Sequence, residues 1–385
     1  MAEAIYLDYA AATPLDKTVL AAMQPYFAEQ FFNPSANYLA AKKVRMAVDQ
    51  ARAEVASLLA VRPAEVTFTA GGTEANNLAI KGVAQRFPGA HIVMTALEHD
   101  SVREPVAQLV RHGWRGTEVN PRPDGVIDPQ AILKAVRDDT VLVSVMYANN
   151  EIGTVQPLSA IAHGLESIRT TRKQTGNNLP LYFHTDACQA GNYLTIAVHR
   201  LGVDLMTLNG GKIYGPKQSG ILYVAAHVEL EPLISGGGQE LNRRSGTENI
   251  AAIIGFAKAL GLAQAKRKEE VQRLQALQQH FIELLEQKIP NVIINGSRKH
   301  RLPNNVHVTI PSSDNEQLLF ALDEAGIQAA AGSACSASSQ EPSHVLKAIG
   351  RSDVEARASL RFSLGRPTSS AQLTKTVETL AKILE

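Results

Sequence analysis

Apolar positions recur along this chain with two different periods. Short β-branched runs at residues 66–69, 92–95, 141–146, 181–185, 205–208 and 221–224 have the length and composition of buried strands. Between them lie longer amphipathic stretches. Residues 36–59 set Val44, Val48, Val55, Leu58 and Leu59 near the 3.6-residue spacing of one helical face. Helices are also predicted from about Thr73, over 128–136 and over 157–171. Strand–helix alternation of this kind predicts a mostly parallel sheet covered on both faces, with ligands at the carboxyl ends of its strands. The pattern changes after residue 260. A charged, Gln-rich stretch at 263–288 reads as a connecting helix. Short strands at 292–294, 306–310 and near Gln328 and Leu360 follow, with helices at 316–325 and 370–384. The expected organisation is a large α/β domain over 15–260 and a smaller α+β domain from 1–14 and 261–385.

Composition narrows the class. An apolar fraction of 45% with 19% charged residues is ordinary for a globular chain. With 38 Lys+Arg against 37 Asp+Glu, no overall field favours nucleic acid or an anionic membrane. The run at 250–257 is broken by Lys258 and is too short to span a bilayer, and Glu3 and Asp8 do not suit a secretory leader. Two cysteines, Cys188 and Cys335, make no disulfide framework. A cytoplasmic protein with no membrane or nucleic-acid partner is expected.

Four segments could carry chemistry. Gly71-Gly72-Thr73-Glu74 joins a predicted strand to a helix and could cradle an anion, although such turns are often plain punctuation. His184-Thr185-Asp186-Ala187-Cys188-Gln189 ends a strand, where Asp186 could hold a cationic ring nitrogen or merely cap a turn. Asn209-Gly210-Gly211-Lys212 follows another strand. Lys212 could be an amine held against a carbonyl compound, and Lys217 competes for that role. Eight of the nine residues from Ala331 to Ser339 are Gly, Ala or Ser around Cys335, a setting that suits a reactive thiol as well as an exposed spectator. Arg361 and Arg366 offer guanidinium groups for a carboxylate.

These motifs occur in the order and approximate spacing of one family. From Tyr6-Leu-Asp-Tyr-Ala-Ala-Ala-Thr-Pro14, through Asn33-Pro34-Ser35, Leu97-Glu98-His99, Asn149-Asn150-Glu151 and Arg244-Ser245-Gly246-Thr247, to Arg361-Phe-Ser-Leu-Gly-Arg366, the chain resembles the pyridoxal-phosphate-dependent cysteine desulfurases of the class V aminotransferase group. The resemblance implies an aspartate-aminotransferase-like α/β fold with a seven-stranded, mostly parallel sheet. It implies pyridoxal 5'-phosphate bound covalently by Lys212, paired at its ring nitrogen with Asp186 and stacked against His99. Gln189 would bond the ring's phenolic oxygen, and Gly72, Thr73 and Asn209 the phosphate. Thr247 would reach the phosphate from the other subunit of a homodimer. Asn150, Arg361 and Asn33 would bind substrate L-cysteine. Cys335 would take the sulfur as a persulfide, leaving alanine, and pass it to a scaffold or carrier protein, with transient contact to an iron–sulfur cluster or supply to tRNA thiolation. Residues 336–342 resemble the longer-loop branch that delivers sulfur directly. No metal site is implied.

The chain departs from the family pattern at several positions. Gly211 stands where His usually precedes the lysine, Asn209 replaces Ser, Tyr38 replaces a His after Asn-Pro-Ser, Cys188 replaces Thr, and Gln218-Ser219 replaces a Gly-containing pair. Loss of an imidazole at 211 predicts looser cofactor retention. Selenocysteine lyase, a plain aminotransferase and a catalytically silent homologue are the alternatives; intact Lys212, Asp186 and Cys335 argue against the last.

Overall fold

In the computed structural model, which describes residues 4–332 and 341–385, the β-branched runs pair into one seven-stranded sheet. Its strands are β1 (Val66–Thr69), β2 (His91–Thr95), β3 (Arg115–Val119), β4 (Thr140–Ser144), β5 (Tyr182–Asp186), β6 (Leu205–Asn209) and β7 (Gly220–Val224). Their order is β1-β7-β6-β5-β4-β2-β3. Neighbours from β6 to β3 are parallel, while β7 runs antiparallel to both β1 and β6. β1, β4, β5 and β7 are buried at every position, as continuous apolar runs require when helices cover both faces. The expected mostly parallel α/β fold is what forms.

The helices that matter for the site are α1 (Leu39–Leu59), α2 (Gly72–Arg86), α3 (Asp100–Arg111) and α4 (Leu158–Gln174), followed by a 39-residue helix α5 (Ile250–Lys288) and the last helix, α6 (Ser370–Leu384). α1 buries Val44, Val48, Val55 and Leu59, while Leu58 of the predicted stripe is only partly covered. α5 starts well before the predicted 263. Its first turns are buried nearly all round through Ile250, Ile253, Phe256 and Leu260, so no polar face marks them as helical in the sequence.

Two apolar cores are present. The larger surrounds the seven-stranded sheet. The smaller gathers Ile5 and Leu7 with Leu274, Phe281, Leu285, Val306, Val308, Leu322, Phe362, Val377 and Leu380, and Phe281 meets Phe362 edge-on at 5.3 Å. A three-stranded antiparallel sheet supports it, formed by β8 (Ile293–Ile294), β9 (Asn305–Thr309) and β10 (Ser359–Ser363) in the order β10-β9-β8. Ile5–Tyr6 pairs in parallel with Ile327–Gln328, which ties the N-terminal residues to the later part of the chain. α5 contributes to both cores, and Val345, Leu346, Ile349 and Ala356 return to the larger one. Asp186 and Asn209, the last residues of β5 and β6, therefore emerge at the carboxyl edge of the parallel strands, where β10 delivers Arg361 from the smaller sheet.

Candidate active site

α2 begins three residues after β1. Gly71 bridges them at φ 133°, a conformation open to glycine and costly for other residues, and no side chain caps the first N–H groups of the helix. A Cβ on Gly72 would lie 2.7 Å from Cys188 Sγ and 3.4 Å from Asn209 Nδ2. The bare Cα is thus what lets α2 start against β5 and β6. Asn209 accepts the Gly211 N–H through Oδ1 at 2.9 Å, fixing the turn that leads to Lys212. A helix N-terminus, the Thr73 hydroxyl and the Asn209 amide together make a donor-rich corner suited to a phosphate.

The acidic group is Asp186. Its Oδ1 accepts the Cys188 N–H at 2.9 Å and its Oδ2 accepts Asn76 Nδ2 at 2.7 Å. His99 caps α3, taking the Ser101 N–H at Nδ1 at 3.1 Å. Glu98, just before it, is fully buried. Thr95 Oγ1 and the Met146 N–H both donate to Glu98 Oε1, at 2.7 and 2.8 Å, and burial pushes the carboxyl up to about 8. Gln189 Nε2 donates to the Ala10 carbonyl at 3.0 Å.

Lys212 Nζ donates to the Ala11 carbonyl at 2.5 Å, and burial lowers its ammonium below the ordinary lysine range. Lys217, the competing amine, is exposed. Arg361 is buried; its Nη2 pairs with Asp8 at 2.7 Å, its Nη1 donates to the Asn150 carbonyl at 3.0 Å, and its Nε has no partner among the described residues. Burial, reinforced by the Asp186 charge, pushes the Cys188 thiol well up, so it stays protonated here.

One cleft collects these groups. Gly72, Thr73, His99, Asn150, Asp186, Gln189, Asn209, Lys212 and Arg361 all line it, as do Asn76, Ser101 and Cys188. Two expected residues do not. Asn33 is exposed and accepts the Ser35 N–H at 2.9 Å, and Thr247 lines a separate recess with Arg244 and Gln218. Cys335 lies outside the described residues. Sequence reasoning missed Asn76, Ser101 and Asp8. Asn76 follows Gly72 by one helical turn and so shares its face, a signal present in the sequence.

The donor set fits pyridoxal phosphate. A phosphate corner at α2, a buried carboxylate for a cationic ring nitrogen, an imidazole and a desolvated amine meet in one cleft, and the cradle at Gly72 stays open only without a side chain. Among the described residues, no cluster of three or more His, Cys, Asp or Glu is arranged to hold a metal ion, and no helix is long and apolar enough to cross a membrane.

Comparison with known proteins agrees. The family signature described as Aminotransferase class-V matches residues 5–375. The chain is 42% identical to the cysteine desulfurase IscS of Dictyoglomus turgidum, over 100% of this chain and 95% of that one. Among solved structures, a NifS-like protein superposes with a TM-score of 0.90 at 30% identity, covering 99% of both chains. SspA in complex with cysteine superposes at 0.80 with 36% identity, covering 94% of this chain and 98% of that one.

Proposed function

The chain belongs to the class-V aminotransferase family, and from that premise we propose that it is a pyridoxal-phosphate-dependent cysteine desulfurase that converts L-cysteine to L-alanine. The observation that carries the reading is the shared cleft, in which Lys212, Asp186 and Arg361 are the amine, carboxylate and guanidinium that cysteine desulfuration needs. When bound, pyridoxal phosphate withdraws electrons from substrate Cα, which makes the Cβ–S bond breakable. Asp186 would hold the ring nitrogen and keep it protonated. Gly72, Thr73 and Asn209 would hold the phosphate, Gln189 the phenolic oxygen, and His99 the ring face. Lys212 takes up and returns the proton at substrate Cα, a task suited to an amine whose charge burial disfavours. Arg361 and Asn150 bind the substrate carboxylate. A solved relative that holds cysteine supports this substrate class.

Cys335 is the proposed nucleophile. Its thiolate sulfur attacks the substrate sulfur, the Cβ–S bond breaks, and the products are alanine and a Cys335 persulfide with no net oxidant consumed. Ala330, five residues earlier in the chain, exchanges both backbone hydrogen bonds with Arg361, which supports delivery of this segment to the cleft. The persulfide would pass its sulfur to a scaffold or carrier protein for iron–sulfur cluster assembly or tRNA thiolation, with transient contact to a nascent cluster through Cys335. A homodimer would bring Thr247 to the partner's phosphate corner and Asn33 toward substrate. The residue division 15–260 against 1–14 with 261–385 is likewise proposed, with the two apolar cores in its support. Mass spectrometry after brief exposure to cysteine tests the reaction. A gain of about 32 Da on the peptide carrying Cys335, with alanine released, is expected. The same gain on Cys188, or none, would reject the nucleophile.

A further inference from the structure

Beyond the groups assigned above, one chain of hydrogen bonds crosses the cleft wall. Asn76 is fully buried, and its Nδ2 donates to Asp186 Oδ2 at 2.7 Å and to Ser101 Oγ at 2.8 Å. Ser101 Oγ lies 2.9 Å from His99 Nδ1, the nitrogen that also takes the Ser101 backbone N–H. The hydrogens can be counted. The Asn76 amino group has two, one for each partner. Ser101, having accepted one bond, has its own hydrogen free for His99 Nδ1. That nitrogen then faces two donors, so it is unprotonated and Nε2 carries the ring hydrogen. Turning the Asn76 amide over would set its oxygen against the Asp186 carboxylate, so the neighbours dictate one orientation. Asn76 Oδ1 is left buried with no partner among the described residues, a cost that the two donated bonds offset.

Resting on the desulfurase reading, we propose that Asn76 is a positioning residue: its amide locks the Asp186 carboxylate and, through Ser101, holds His99 as the Nε2–H tautomer. An amide neither takes up nor releases a proton near neutral pH, so the chain orients both ends without conducting protons between them. His99 consequently has one N–H to offer toward the cleft, and Asp186 presents its carboxylate in one rotamer. Asn76 touches no reacting atom; it acts through Asp186 and His99, the two residues that would hold the cofactor ring.

The test uses the cofactor-loaded protein with Asn76→Asp, which keeps the shape but, sharing one proton with the Asp186 carboxylate, leaves only an acceptor toward Ser101, and Asn76→Ala, which removes both bonds without adding charge. The readouts are the visible absorbance of the bound cofactor, the two-bond 15N–1H pattern of the site histidine (assigned with His99→Gln), and the split between kcat and KM. Expected for Asn76→Asp are a displaced absorbance band, some Nδ1–H tautomer, and a fall in kcat of about 100-fold with KM within about threefold. Asn76→Ala is expected to displace the band as well, and it decides the matter if the Asp variant does not fold. An unchanged band in both variants, or a histidine that stays wholly Nε2–H in Asn76→Asp, would overturn the proposal. Failure of the wild-type chain to load cofactor or desulfurate cysteine would instead reject the desulfurase reading, and the histidine pattern of the unloaded variants would still judge the relay.

Discussion

Glu98 has no exposed surface, and its Oε2 has no hydrogen-bond partner among the described residues. Burial is the main reason its carboxyl rises to about 8 from an ordinary 4.5; the nearby Asp186 charge adds to the shift, and bonds from Thr95 and Met146 oppose it. Between those two pH values the folded chain keeps a proton that the unfolded chain has released. Stability therefore falls as pH rises from about 4.5 to about 8 and levels off above. Glu98→Gln, which keeps an acceptor for Thr95 and Met146, is expected to remove this dependence. Urea unfolding should show little difference between the chains at pH 5 and an advantage of roughly 3–5 kcal/mol for the variant at pH 8. Parallel stability–pH curves would mean that Glu98 is ionised in the fold. Gly211 poses the opposite question, because something is missing there. A Cβ at 211 would come no closer than 3.4 Å to Asn209 Oδ1 and 3.7 Å to Lys217 Cγ, so a side chain can be accommodated. Gly211→His restores the imidazole of the family pattern beside the phosphate corner. One added hydrogen bond of about 1 kcal/mol predicts roughly fivefold slower loss of cofactor on dialysis, followed by visible absorbance. Equal loss from both proteins would show that the existing donors already satisfy the phosphate.

At the level of elements, the start of α2 is the most exacting join in the site. It must come close enough to β5 and β6 that a methyl group on Gly72 would collide with Cys188 Sγ. Gly72→Ala is expected to weaken cofactor binding about tenfold while leaving the circular dichroism spectrum unchanged, since overpacking of this size costs about 1–3 kcal/mol. Adding Cys188→Ala should recover most of the loss; no recovery would put the damage in the helix N-terminus itself. That join was legible as a Gly-Gly turn between strand and helix, because β1 is a short buried run and α2 a long amphipathic one. α6 was legible to the residue, since Ser369 and Gln372 form a reciprocal cap ahead of a clean apolar stripe. β3 was not. It is an edge strand with Arg115, Gly116 and Glu118 exposed, and it lacks the apolar run that marks the others. α3 escaped because a histidine caps it and Pro105 sits inside it, both weak helical signals. The site was readable as motifs but not as a network. Ser101 sits two residues from His99, but Asn76 and Asp8 become neighbours of Ser101, Asp186 and Arg361 only once the strand order and the return of β10 are known.

On the scale of the whole molecule, one chain leaves two of the expected ligand contacts unmade. Thr247 faces its own recess rather than the cleft, and Asn33 is exposed. The same chain exposes Phe27, Phe31, Tyr38, Leu39 and Met46, and Phe31, Phe32 and Tyr38 form a continuous aromatic group near Asn33 in sequence. In the proposed dimer, a second copy related by a twofold axis that covers that group and supplies Thr247 receives the same contact in return, because an isologous interface uses one surface patch on both subunits. The proposed dimer can be tested by complementation, without relying on size measurement alone. Lys212→Ala has no amine for the cofactor and is expected to be inactive; Thr247→Ala is expected to lose about tenfold in cofactor affinity. If Thr247 serves its own chain, mixing the two variants under subunit exchange gives no site better than those of the parents. If it serves the partner, each mixed dimer has one site in which Lys212 of one chain meets Thr247 of the other. Half of randomly mixed dimers carry one such site in two, so desulfurase activity at limiting cofactor should rise to about a quarter of wild type. A mixture that stays at the mean of its parents would place Thr247 outside the partner's site and remove the main argument for an obligatory pair.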